Sequence, residues 1–409
     1  MRSRSVGALI CVACLAGLYV RTATAADPPA RKPLGIDERK AVLSLIKAVD
    51  VAQDTDVTTN DRVVWDGHVL RSGNQTGYLP FRLTLDGLER PKSAVVYVRA
   101  VTRHDGMRSR DERSTARDWL LRGNHAPQRI ETVYVGTGEL PVGGPATSST
   151  RQSVSSANQA LTVLALQHRE LERQRTAADA AKKKAEVPQH DPLRLPFEDY
   201  YVADVTSAPG GGDRPMLERA LSLPPGEYDV YVGLLDRSRL KTSSPVIVRH
   251  TVTVPDFWND EIALSSLILA SDIHVLGASL SAKQQVEHPY TLGRAEIIPV
   301  AAPSFSSDDA LSVVYQVCNY GAPDADLQAD YNFYRVDTPS RVLFNRTPSQ
   351  HFRDEDLPPP APWESVAFLT QTVSLKTFPP GRYELEVTVR DRLTRHSVSR
   401  SVSFTIAKP

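Results

Sequence analysis

One short motif occurs twice in this chain, and its chemistry restricts what can surround it. Residues 223–237 read Leu-Pro-Pro-Gly-Glu-Tyr-Asp-Val-Tyr-Val-Gly-Leu-Leu-Asp-Arg, and residues 378–392 read Phe-Pro-Pro-Gly-Arg-Tyr-Glu-Leu-Glu-Val-Thr-Val-Arg-Asp-Arg. The offset from Pro225 to Pro380 is 155 residues, the length of one elaborated domain. A second β-rich run follows each copy, Val246 to Val254 in the first and Val398 to Ile406 in the second. A turn-strand-turn-strand block repeated at domain spacing predicts two copies of one fold.

Proline fixes φ and lacks a backbone donor, while glycine accepts positive φ, so the chain must turn at Pro-Pro-Gly. Beyond the second turn, Tyr383, Leu385, Val387 and Val389 alternate with Arg382, Glu384, Glu386 and Thr388. That is the period of a strand with one buried and one wet face. A tyrosine heading the penultimate strand after a turn matches the tyrosine corner of immunoglobulin-type sandwiches, where the phenol packs inward and its hydroxyl bonds back to the turn. Tyr228 and Tyr383 are the candidates, with a structural role expected in preference to ligand binding.

Further strands are predicted in the second repeat. Leu311–Val317 and Leu327–Phe333 alternate; Ala263–Ala270, Val366–Val373 and Val342–Phe344 are apolar runs; Asn319-Tyr-Gly-Ala-Pro and Leu357-Pro-Pro-Pro-Ala-Pro are loop compositions. That gives seven or eight strands and no helix. In the first repeat the expected strands are Arg62–Trp65, Tyr78–Leu85, Ala94–Val101, Ile130–Val135, Phe197–Val205 and those of the Tyr228 block. An insertion at about 136–190 interrupts them. Residues 136–157 read as a Gly/Ser/Thr/Pro linker. Residues 158–186 lack Gly and Pro and predict a helix, with Leu161, Leu164, His168, Leu171 and Arg175 near one stripe. This helix is either a coiled-coil arm that recruits a partner or an insertion packed partly on its own sandwich. The absence of sustained heptads favours the second. Before the first strand, Asp37 can cap a helix carrying Val42, Leu45, Ile46 and Val49 on one face. Residues 255–262 join the repeats, and Phe257 and Trp258 there are too apolar for a free linker, so they are expected to pack between domains.

The N-terminus sets the expected compartment. Arg2 and Arg4 precede a nearly uninterrupted apolar run, Val6 to Val20, and Ala23-Thr24-Ala25 supplies small residues for cleavage before Ala26. The run is shorter than the ~20 residues of a spanning helix. The expected organisation is a signal peptide at 1–25, a tether and short helix at 26–60, a sandwich with helical insertion at 61–255, and a second sandwich at 256–409. Cleavage removes Cys11 and Cys14 and leaves Cys318, which cannot form an internal disulfide and reads as a buried, inert thiol. Lys+Arg and Asp+Glu both number 48, and the signal peptide holds three Arg and no acid, so the remainder is slightly acidic. That argues against nucleic acid as a partner, the small run Lys182-Lys183-Lys184 notwithstanding.

No local chemistry emerges. The ten His are scattered, Gly210-Gly211-Gly212 reads as a flexible loop, and nucleophile-elbow, phosphate-loop and zinc spacings are missing. Asp308-Asp309 and Asp354-Glu355-Asp356 are acidic loop clusters without the spacing of a calcium loop, so solvated charge is expected there before calcium binding. No catalytic, cofactor-binding or metal-binding residue is expected, and no cofactor.

Leu223-Pro-Pro-Gly-Glu-Tyr228, Val254-Pro-Asp-Phe-Trp258, Leu264-Ser-Ser-Leu267 with Ile268-Leu-Ala, and Phe378-Pro-Pro-Gly-Arg-Tyr383 carry a resemblance. The chain, especially residues 195–408, resembles a group of exported bacterial proteins with tandem immunoglobulin-like β-sandwich domains. In some relatives such segments sit beside von Willebrand factor A-like or GWxTD-type domains, neither of which is visible here. The resemblance implies fold and export, and no activity. The expected function is therefore non-catalytic binding or scaffolding in the cell envelope, periplasmic or extracellular, with another envelope protein or a surface glycan as partner and no membrane span after cleavage. The alternatives are a hydrolase or carbohydrate-active protein with a site built from dispersed loop residues, and an accessory factor in surface assembly or secretion.

Overall fold

The computed structural model describes residues 34–55, 63–72, 75–85, 91–104, 107–108, 195–207, 214–300, 303–320, 325–337, 340–353, 356–357 and 366–407. The expected signal peptide, the strand at Ile130–Val135, the linker at 136–157, the helix at 158–186, Gly210–Gly212, Asp354 and Glu355 lie outside the described residues.

The first half comprises helix α1 (Ile36–Thr55) and strands β1 (Val63–Gly67), β2 (Leu70–Arg71), β3 (Gly77–Leu85), β4 (Ser93–His104), β5 (Met107–Arg108), β6 (Phe197–Asp204), β7 (Thr206–Ser207), β8 (Pro215–Leu223), β9 (Gly226–Asp236) and β10 (Val246–Val254). One sheet runs β1-β3-β8-β7 with β2 beside β3; the other runs β10-β9-β4-β5 with β6 beside β4. The second half comprises β11 (Ala263–Leu264), β12 (Ile268–Val275), helix α2 (Ala282–Glu287), β13 (Thr291–Leu292), β14 (Ala295–Pro299), β15 (Ser304–Phe305), β16 (Ala310–Cys318), β17 (Asp326–Arg335), β18 (Val342–Arg346), β19 (Gln350–Arg353), β20 (Val366–Ser374), β21 (Gly381–Asp391) and β22 (Ser397–Ile406). Its sheets are β11-β16-β12-β14-β13 with β20 beside β16, and β15-β22-β21-β17-β18 with β19 beside β17. The architecture is mainly β, made of antiparallel sheets facing one another in pairs, as in a β-sandwich. Phe81, Val98, Val230 and Val252 lie in the core of the first pair, and Val313, Phe333, Leu385 and Phe404 in that of the second.

The repeated motif opens β9 and β21. Gly226 has φ 151° and Gly381 has φ 157°, values open to glycine and costly for other residues. The tyrosine two residues on points inward in both copies. Tyr228 Oη donates to Pro224 O at 2.9 Å, and Tyr383 Oη donates to Pro379 O at 2.7 Å. Each ring enters its core, and each hydroxyl satisfies a carbonyl of the turn that aimed it.

Helix α1 forms where the 3.6-residue pattern placed it, but Asp37 lies in its first turn rather than at the cap. Gly35 holds the preceding position, and its N–H donates to Glu38 Oε2 at 2.8 Å. Val42, Leu45, Ile46 and Val49 are buried against Tyr97 and Tyr231 on the outward face of β4 and β9. Arg99 Nη1 reaches Asp50 Oδ1 at 2.7 Å, which ties the helix to β4. In the second half the predicted run Ala263–Ala270 divides into β11 and β12, because Ser265 leaves the strand and its hydroxyl accepts the Gln316 N–H at 2.8 Å. The second half also contains a helix the sequence reading did not foresee: α2, closed by a capping box between Ser281 and Gln284.

The two halves meet face to face. β3 is buried along its full length. One face serves its own core; from the other, Tyr78 joins Ile268, Ala270, Ile297, Val314 and Phe368 of the second half in a shared apolar cluster. Arg82, 1 % exposed, binds Glu218 through Nε and Nη2 (2.8 and 2.6 Å) and Pro299 O through Nη1 (2.7 Å). Gln316 caps both backbone groups of Arg71: its Oε1 accepts the N–H at 2.6 Å and its Nε2 donates to the carbonyl at 3.1 Å. Phe257 of the connecting segment is buried, and the Arg71 guanidinium lies over Trp258 at 5.2 Å.

Tyr383→Phe is expected to cost about 1–2 kcal/mol, since a partly buried carbonyl loses its donor, and Gly381→Ala about 1–3 kcal/mol from backbone strain; chemical denaturation measures both. Glu218→Ala strands the buried Arg82 and is expected to cost about 3–5 kcal/mol, with calorimetry separating one unfolding transition into two.

Candidate binding groove

β1 and β10 are the edges of the facing sheets in the first pair. Among the described residues β1 pairs with β3 and β10 with β9, and neither has a second neighbour. Among these residues the sandwich is open along this side, with a cavity of about 180 Å³ lined by Trp65, His68, Leu79, Pro80, His250 and Thr253, among others.

Local sequence shapes the wall. Gly67 stands opposite Phe81 in the ladder, and a Cβ there would fall 2.6 Å from Trp65 Nε1. With no side chain at Gly67, the indole lies flat on Phe81 at 4.4 Å between centroids and 11° between planes. His250 takes the other face of the indole at 5.1 Å and 15°. The three rings form one stack joining the sheets across their open edge.

His68 connects the groove to the joint between halves. Its Nδ1 lies 3.0 Å from Tyr290 Oη, which is itself 3.3 Å from Pro80 O. Burial holds the His68 pKa below the ordinary histidine range; Arg82 adds to that and Asp66 opposes it. Desolvation lowers His250 in the same direction. Both rings are therefore neutral near pH 7. No carboxylate lines the cavity. An indole with both faces covered, beside two imidazoles held neutral by burial, gives the cavity a flat aromatic wall.

The residues singled out in the sequence lie elsewhere. Tyr228 and Tyr383 are inside the two cores. Cys318 is buried on β16, and burial pushes its thiol up to about 12. Asp309 accepts the Ser306 N–H at 2.6 Å, and Asp356 accepts the Arg353 N–H at 2.9 Å, so both shape turns. Among the described residues no group of three or more His, Cys, Asp or Glu could hold a metal ion, and no helix is long and apolar enough to cross a membrane. Sequence reasoning missed Trp65, His68 and His250. The one local signal was Trp65 at the end of a short strand; residues 65 and 250 meet only through the fold.

No family profile and no curated protein matches the chain. Solved structures to which the chain is weakly similar include a transglutaminase from red sea bream (TM-score 0.21, 8% identity, 89% of this chain and 34% of that one) and a β-glucuronidase from Bacteroides uniformis (TM-score 0.22, 10% identity, 80% and 26%). The chain thus spans about a third and a quarter of those proteins.

The histidines give this region a pH dependence. An unfolded chain binds protons near pH 6.5 that the folded His68 and His250 refuse, so stability is complete above that pH and is lost as pH falls below it. His68→Gln is expected to flatten the acid side of the profile, read from urea unfolding at about pH 7.5 and 5.5.

Proposed function

We propose that this chain is an exported, non-catalytic binding or scaffolding protein of the cell envelope, built on two immunoglobulin-like domains closed by tyrosine corners at Tyr228 and Tyr383. The matching strand orders support the domain reading. β1-β3-β8 faces β10-β9-β4-β6 in the first half, and β12-β16-β20 faces β15-β22-β21-β17 in the second. The phenol-to-proline hydrogen bonds have the pattern a tyrosine corner requires. Export rests on the composition of residues 1–25, and the partner is another envelope protein.

The single observation that carries the binding reading is the joint. Arg82, Gln316 and Tyr78 fix one half against the other through buried polar contacts, which suits a frame that holds its surfaces at a set separation. The groove adds a recognition surface without an acid–base pair. Expression in a bacterial host with the natural N-terminus is expected to deliver a chain beginning at Ala26, seen by mass spectrometry of the periplasmic fraction. Mild cross-linking of the native envelope is expected to recover it joined to one envelope component. A mature chain that stays cytoplasmic, or that comes out alone, overturns the reading.

A further inference from the structure

We propose that the groove beside β10 is a strand-acceptor site. It takes an extended segment of a partner protein that runs parallel to β10 and inserts one aromatic or large aliphatic side chain beside Trp65, Leu79 and Val252. The inference rests on the reading of this chain as a binding protein, and it names what binds and where.

The second half of the molecule supplies the argument. β10 and β22 occupy equivalent places: Val252 faces Tyr228 as Phe404 faces Tyr383, and Val254 faces Gly226 as Ile406 faces Gly381. In the second half the outer edge of β22 is covered. β15 lies parallel to it, with Ser304 beside Thr405 and Phe305 beside Ile406. The Thr405 N–H donates to Pro303 O at 2.7 Å and the Ala407 N–H to Phe305 O at 2.8 Å. The Phe305 ring enters the core, 4 % exposed, against Phe404 at 6.0 Å.

Among the described residues, the first half commits no segment to this place. β2 ends at Arg71 and pairs with the start of β3 at Gly77, and among the described residues β10 pairs only with β9. The positions matching Ser403 to Thr405 are Thr251 to Thr253, and all three line the groove. The same fold thus shows what covers this edge: a short parallel strand with an apolar side chain pointing in. Pro255 stands where Ala407 donates, so that hydrogen bond cannot form here. The bound strand is therefore shifted one pair toward His250, where the open volume lies. Hydrogen bonds along the strand edge supply affinity, and the inserted side chain supplies selectivity.

The test uses the full-length mature protein and labelled nonapeptides of alternating Ser/Thr and apolar residues, with Phe, Leu or Ala at the centre. Fluorescence anisotropy is expected to show saturable binding, with Phe or Leu favoured over Ala by about tenfold or more and backbone N-methylation abolishing it. Thr253→Pro removes an edge donor that points away from β9, which an edge strand tolerates. It is expected to abolish binding while leaving the thermal midpoint in place. A benzophenone at the central peptide position gives a second reading that needs no variant, with cross-links expected at Trp65, Leu79 or His250. Absence of saturable binding, cross-links at the exposed β18 edge, or full binding by a folded Thr253→Pro protein overturns the proposal. Failure of the peptides with the envelope cross-link intact removes the acceptor site alone; peptide binding without any envelope component removes the wider reading.

Discussion

Everything in this molecule is arranged around a hydrogen bond made twice, from a buried phenol to the carbonyl of a proline four residues earlier. Two prolines force the turn, a glycine with positive φ redirects the chain, and the tyrosine that follows secures the redirected strand to the turn. A bare turn at a sandwich edge leaves carbonyls facing apolar surroundings, and the phenol removes that cost while adding a large ring to the core. Strands β9 and β21 start from these anchors, and each forms the centre of its sheet. Their neighbours in the ladder inherit their register from them.

The second determinant is that β3 and β16 have no wet face. A strand that is buried on both sides must be covered on both, and the outward faces of β3 and β16 share one cluster that spans the two halves. The contact is not a smooth apolar one. Arg82 is buried with Glu218 and a backbone carbonyl, and Gln316 binds both backbone groups of Arg71. Such groups gain little net energy when paired and lose much when misaligned, so they specify one relative placement of the halves. The same placement brings Tyr290 to His68, and so links the joint to the groove at the open edge of the first sheet pair.

Repetition makes the groove informative. Two sheet pairs with matching central strands differ at this edge: the second has β15 along its last strand and, among the described residues, the first has no such neighbour. The segment between β12 and β16 is long enough to build α2, the β13–β14 hairpin and β15, and its contents both face the first half and seal the second. The short β2–β3 connection does neither. In its absence, the stack of Phe81, Trp65 and His250 bridges the sheets and leaves space beside it.

Local chemistry was enough to place the turns, the alternating strands and the amphipathic helix α1, because period-2 and period-3.6 patterns and the constraints of proline and glycine act over a few residues. Tyr228 and Tyr383 could be assigned inward positions for the same reason. Other features depended on contacts across 51 residues or more. The complete burial of β3, the interruption between β11 and β12, and the meeting of Trp65 with His250 leave no local periodicity. The scattered histidines carried no spacing signal, since a groove between two sheet edges draws its residues from strands that adjoin in space and not in sequence. The amino-acid order determined which faces must be buried; the tertiary structure decided what each face is buried against, because that depends on which other surface is brought within van der Waals reach.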